Sequence, residues 1–206
     1  MKNIFTYIKT TTFTSLQLGL LLTMAACTEY IDMEPAGYKK VLIVDIDPQG
    51  HSTSGLGIDK DKIGYSIYDV LINGVDARKA AIPTVMEGLD IIPANIDLVG
   101  AQVELISKLA RESFLKKALE PIKNDYDYIF LDCPPSLGIL TVNALTASDK
   151  ILVPIQCEFY ALEGLSQLVN TVKLVKRGLN SKLEVEGVVL TMFDGRTNLS
   201  NQVVAE

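Results

Sequence analysis

The chain has 206 residues, 48% of them hydrophobic and 21% charged, which is enough for one domain with a real core and too apolar for a disordered chain. A formal net charge of −6 argues against a broad basic surface for nucleic acid, though it leaves room for a local patch. Three widely spaced cysteines (Cys27, Cys133, Cys157) and the single histidine His51 argue against a disulfide scaffold, a His-built metal centre and a Ser-His-Asp triad, and fit a reduced cytosolic chain.

Residues 1–36 stand apart. Lys2 and Lys9 mark a short basic start, and an apolar stretch over 13–27 follows, with Leu16, Leu18, Leu20, Leu21 and Leu22. It ends in Leu22-Thr23-Met24-Ala25-Ala26-Cys27. A basic start, a short apolar centre and small residues before a cysteine look like a bacterial lipoprotein signal, which would anchor the chain to lipid through Cys27. The stretch is too short and too rich in threonine for a transmembrane helix.

From residue 37 to 206 the pattern is regular and reads as one domain. Val41-Leu42-Ile43-Val44-Asp45-Ile46 is a strand buried on both faces, and Asp47-Pro48-Gln49-Gly50 breaks it. Asp45 and Asp47 are two positions apart at its C-terminal end, so both carboxylates can face one spot. In an open parallel sheet that end faces the ligand crevice. Paired acids there suit a hydrated Mg²⁺ and a water to be activated, and equally a polar strand end followed by a turn. A short helix over 66–71 and a strand and turn over 89–94 come next. A helix over 98–119 follows, with Val103, Ile106, Leu109 and Ala110 on one stripe and Lys108, Arg111, Lys116 and Lys117 on a solvated face.

A second buried strand, Tyr128-Ile129-Phe130-Leu131-Asp132, ends in the stiff turn Cys133-Pro134-Pro135-Ser136-Leu137-Gly138. A helix over 138–147, a strand over 151–155, a long helix over 162–177 and a strand over 185–192 complete the series. This alternation predicts an α/β fold, a doubly wound, mostly parallel sheet with helices on both faces and right-handed crossovers.

The run Asp45-Ile46-Asp47-Pro48-Gln49-Gly50-His51-Ser52-Thr53-Ser54-Gly55-Leu56-Gly57 is similar to D-x-D-P-Q-G-N-x-T-S-G-L-G. The run from Tyr126 to Gly138 is similar to Y-D-Y-I-x-x-D-x-P-P-S-L-G. Together with Thr191–Ser200 they resemble the ParA/Soj branch of the deviant Walker P-loop NTPases, which also contains MinD. The resemblance implies a chromosome- or plasmid-partitioning ATPase of the cytoplasm and nucleoid. It also implies ATP and Mg²⁺ as cofactors, a homodimer that sandwiches two nucleotides, nonspecific DNA binding and a ParB-like partner. Carried over by position, Asp47 would orient the attacking water. Asp45 and Asp132 would hold the Mg²⁺ shell. Pro48, Gln49 and Gly50 would form the first switch, and Pro134, Pro135 and Gly138 the second. The prolines are also what a rigid turn requires, and both readings hold together. Residues 158 and 160–163 match a family segment that helps form the dimer face.

The same resemblance offers a second reading of residues 1–36, as a degenerate phosphate loop. Lys9, Thr10 and Thr11 would fall on K-T-T, with Lys9 on the β/γ-phosphates and Thr10 on Mg²⁺. Phe5, Thr6 and Ile8 then occupy glycine positions, and Ile4 that of the family's extra lysine. Such a loop works because glycines let the backbone turn sharply and aim N–H groups at phosphate. Phe5 and Ile8 cannot cheaply adopt the positive φ this needs, so an intact loop is not encoded. Family members continue beyond Asn198-Leu199-Ser200 with adenine contacts and much of the basic DNA-binding surface, so weak DNA binding is expected. A non-hydrolysing remnant and a lipid-anchored fusion stand as the alternatives to the working ATPase.

Overall fold

A computed structural model of the chain describes residues 4–9, 39–156 and 161–196, with backbone alone for 4–9 and 161–163. Thr10, Thr11, Cys27, Cys157, Glu158 and Thr197–Ser200 lie outside the described residues. Inside the sheet lies β2 (Val41–Asp45), whose Leu42 and Val44 are fully buried and whose Val41 is buried on the opposite face. It pairs in parallel with β4 (Leu89–Ile92) on one side and β5 (Tyr128–Cys133) on the other. With β1 (Ile4–Lys9), β3 (Ile82–Pro83), β6 (Lys150–Gln156) and β7 (Glu184–Thr191), the seven-stranded sheet has the order β3-β4-β2-β5-β1-β6-β7. Five strands run one way; β1 and β3 run against them.

The chain leaves β2 toward β4 on one side and returns as β5 on the other. This reversal of strand order makes a switch point at the C-terminal ends of β2 and β5, the place where open α/β sheets bind their ligands. Asp45 and Asp132 are direct cross-strand partners at that point.

The helices are α1 (His51–Gly55), α2 (Ala77–Ala80), α3 (Leu98–Glu104), α4 (Phe114–Leu119), α5 (Ile139–Ala147) and α6 (Ala161–Gly178). The expected helix at 66–71 closes as one wide π turn, Asp69–Asn73, stopped by Gly74 at φ 69°. Leu42, Val44, Ile129 and Leu131 of the sheet pack with Leu98, Leu115 and Leu145 of the helices in one continuous core. α5 is buried almost all round, and its polar Asn143 is satisfied there. Asn143 accepts from Leu115 N at 3.1 Å and donates to Arg111 O at 2.8 Å and Ile139 O at 3.0 Å.

The continuous helix expected over 98–119 is corrected. Ala110 adopts φ 52°, and α3 and α4 are separate, joined through two 3₁₀ turns. The buried face is also the other one. Leu98, Ala101 and Leu105 are fully buried, while Val103 is 67% and Leu109 94% exposed. Both sets have helical spacing, so periodicity alone could not choose between them.

Candidate functional site

The turn after β2 is built by its own side chains. The Asp47 carboxylate accepts Gln49 N at 2.9 Å on Oδ1, and the Asp47 carbonyl accepts Gly50 N at 2.8 Å. Pro48 fixes the first corner. Gly50 sits at φ 59°, and a Cβ there would lie 2.8 Å from the Ala94 carbonyl and 2.9 Å from Lys60 Cε. This position therefore needs glycine for its conformation and for the close approach.

Asp45 is fully buried, and its oxygens are taken from within. Oδ2 accepts Thr53 N at 2.8 Å and Thr53 Oγ1 at 2.7 Å, and Oδ1 accepts Asp47 N at 3.2 Å. Burial pushes this carboxyl above the usual carboxylate range, and the Thr53 donors pull partly against it. Thr53 Oγ1 in turn accepts Ala94 N at 2.9 Å. One buried hydroxyl thus ties the tips of β2 and β4 to α1. Asp132 is buried beside them and takes Ser52 Oγ on Oδ2 at 2.5 Å, while Ile46 N donates to its carbonyl at 2.9 Å.

The turn after β5 closes the same end of the sheet. Pro134 is buried and Pro135 exposed. Ser136 O accepts Thr141 Oγ1 at 2.6 Å, and Gly138 stands at the start of α5 with its carbonyl accepting Val142 N at 3.0 Å. Its φ of −85° is open to any residue, so its value is not conformational.

The structure therefore brings Asp45, Asp47, Pro48, Gln49, Gly50, Asp132, Pro134, Pro135 and Gly138 to one end of the sheet. The Asp45 carboxylate takes three internal donors and so also holds the turn together. The structure places Lys9 differently from the phosphate-loop reading. A phosphate loop must leave its strand at the end where the carboxylates are. β1 runs antiparallel to β5, with Ile4 opposite Cys133 and Lys9 opposite Tyr128. Lys9 is thus four strand positions from Asp132, about 13 Å, at the far end of β5. Ser52, Thr53 and Lys60 were given no role by sequence reasoning. Ser52 and Thr53 fall inside the first motif, whereas nothing in the pattern marks Lys60.

An open α/β sheet with carboxylates on the tips of adjacent parallel strands, each followed by a proline turn, defines the P-loop NTPase-like class. The family model described as "AAA domain" (AAA_31) matches residues 9–185. The Sporulation initiation inhibitor protein Soj of Bacillus subtilis (strain 168) is 54% identical over 195 residues, covering 95% of this chain and 72% of that protein. The Chromosome partitioning protein ParA of Myxococcus xanthus (strain DK1622) is 53% identical, over 82% of this chain and 59% of that one, so the chain spans less than two thirds of this relative. Among solved structures, the Cobyrinic Acid a,c-diamide synthase from Mycobacterium smegmatis with bound ATP analog and Magnesium superposes with a TM-score of 0.77. It is 42% identical, over 81% of this chain and 68% of that one. The chain belongs to the ParA/Soj family.

Proposed function

We propose that the chain is a ParA/Soj-type partitioning ATPase. It binds ATP with Mg²⁺, pairs with a second copy of itself across two nucleotides, contacts DNA without sequence preference and is stimulated by a ParB-like partner in the cytoplasm. The observation that carries this reading is the Asp47 turn at the β2–β5 switch point, beside the Asp132–Ser52 pair. The names of the relatives support it, and so does the family neighbour crystallised with an ATP analogue and magnesium.

The donor set fits the metal side of such a site. Mg²⁺ keeps several waters and needs only one or two protein carboxylates. Asp132, with the Ser52 hydroxyl on it, would hold that shell. When bound, Mg·ATP supplies the phosphoryl group and the charge that neutralises it. Asp47 holds a water. Its Oδ1 is fixed by Gln49 N, and Oδ2 has no protein hydrogen bond among the described residues, so it can accept a proton from that water. The work is positioning, felt in the transition state.

The phosphate side is where a second reading finds support. β1 presents Lys9 at the wrong end, and residues 1–36 contain one glycine, Gly19. A non-hydrolysing member of the family would look like this. Turnover at saturating Mg·ATP separates the two. Slow hydrolysis that disappears in Asp47→Ala establishes the ATPase, and no hydrolysis in either protein establishes the remnant.

A further inference from the structure

We propose that Lys60 is a positioning residue for Asp47, acting through the Gln49–Gly50 peptide; its catalytic consequence rests on the reading of Asp47 given above. Lys60 opens the 3₁₀ turn Lys60–Lys62. Asp59 caps that turn by accepting Asp61 N at 3.1 Å, and pairs with Lys62 at 2.7 Å. From this fixed base the Lys60 ammonium reaches back eleven residues and donates to the Gln49 carbonyl. The N–H of the same peptide, Gly50 N, donates to the Asp47 carbonyl at 2.8 Å. One peptide plane is thus clamped at both ends. A cationic donor on its oxygen polarises it and makes its N–H the stronger donor toward Asp47.

Sterics give the same pairing. The Lys60 stem lies where a Cβ at position 50 would be, 2.9 Å from Cε. Gly50 makes room for the lysine, and the lysine removes the freedom that glycine brings. Without the ammonium, the Gln49 carbonyl turns to water and the Gly50 peptide is free to rotate. The Asp47 carbonyl then loses its donor, and the neighbouring Gln49 N–H no longer fixes the carboxylate.

The test uses the full chain and Lys60→Met, which keeps the stem and removes the charge. Hydrogen exchange of the Gly50 amide is read by NMR together with the carboxyl-carbon shift of Asp47; neither needs nucleotide. Gly50 exchange is expected to rise by about tenfold or more and the Asp47 resonance to move, while amides in β5 are unchanged. Lys60→Arg is expected to restore part of the protection. Unaltered Gly50 exchange in Lys60→Met overturns the proposal, as does an Asp47 resonance that stays in place while the amide opens. The Asp47 reading fails separately, when Asp47→Ala leaves hydrolysis at the parental rate.

Discussion

The tip of β2 and the strand β1 belong to one sheet, but they are specified in opposite ways. At the β2 tip the polar contacts are mostly local. Asp45, Asp47, Gln49, Gly50, Thr53 and Lys60 bond one another within sixteen positions of chain, and among the described residues only Asp132 and Ala94 come from elsewhere. The described contacts of β1 are instead long-range: its backbone pairs antiparallel with β5 and β6, and such ladders close in either direction. A slot in a sheet can be filled by a reversed strand of apolar and β-branched residues; a phosphate cradle cannot be made without its glycines. The turn proposed to orient water is thus self-contained, whereas the proposed phosphate site depends on one loop.

The largest effect expected from that separation is on nucleotide affinity. With no glycine loop at the carboxylate end among the described residues, Mg·ATP should bind with Kd of about 1 mM or weaker, about −4 kcal/mol. Calorimetry on the full chain checks this. Affinity in the micromolar range, about −8 kcal/mol, would mean that the phosphates are held by groups that β1 does not present.

The second effect isolates the intact half. In a chain given a relative's glycine loop in place of residues 4–11, Asp47→Ala should lower turnover by about 10²-fold or more, the scale of a lost general base, with nucleotide affinity retained. Asp132→Ala should weaken binding as well, since its carboxylate serves the ground state. Turnover at the parental rate in Asp47→Ala would reduce the β2 tip to a polar strand end.

A third, smaller effect reads the local frame without nucleotide. Thr53→Val keeps the shape and removes the hydroxyl that serves Asp45 and Ala94 N. Two buried groups are left short of a partner, costing roughly 2 kcal/mol of folding stability. Thr53→Ser should recover most of it, with both measured by urea unfolding. No loss in Thr53→Val would mean the tip is held by its backbone alone.

Sequence made the parallel strands β2, β4, β5, β6 and β7 legible, and for β2 and β5 their common end, because continuous apolar runs closed by Asp-Pro and Pro-Pro leave few alternatives; β1 and β3 were not among the expected strands. Asp45, Asp47 and Asp132 were visible at their strand ends for the same reason. What period and motif could not show was direction and phase. Ile4–Lys9, read as part of a signal-like start or a degenerate phosphate loop, forms a strand antiparallel to β5, and the 98–119 segment carries two apolar stripes of helical spacing, of which Leu98, Ala101 and Leu105 face the core. Lys60 was hidden because its contact spans a turn, and turns have no period. The part Asp45 plays in holding the turn needed the Thr53 hydrogen bonds, which only the fold brings to it.

The smallest expected effect is a pH dependence that belongs to Asp45 alone. Its folded carboxyl lies above the ordinary value of 3.8, chiefly because burial disfavours the anion, with the neighbouring Asp47 charge adding to it and the donors from Thr53 and Asp47 N working against it. The folded state therefore holds this proton more tightly than the unfolded chain does. Below 3.8 the carboxyl is protonated in both states and its contribution to stability is fully present. As pH rises from there through the raised folded value, the unfolded chain releases the proton first, and stability falls. Asp45→Asn cannot titrate, so the stability of the parent minus that of the variant isolates the group from the other acids. Urea unfolding of both proteins from about pH 4 to about pH 7 should show this difference declining by less than one proton's worth. A difference that grows with pH would mean that Thr53 stabilises the Asp45 anion by more than burial costs it. The β2 tip would then be an anion trap rather than a frame held under strain by its own buried charge.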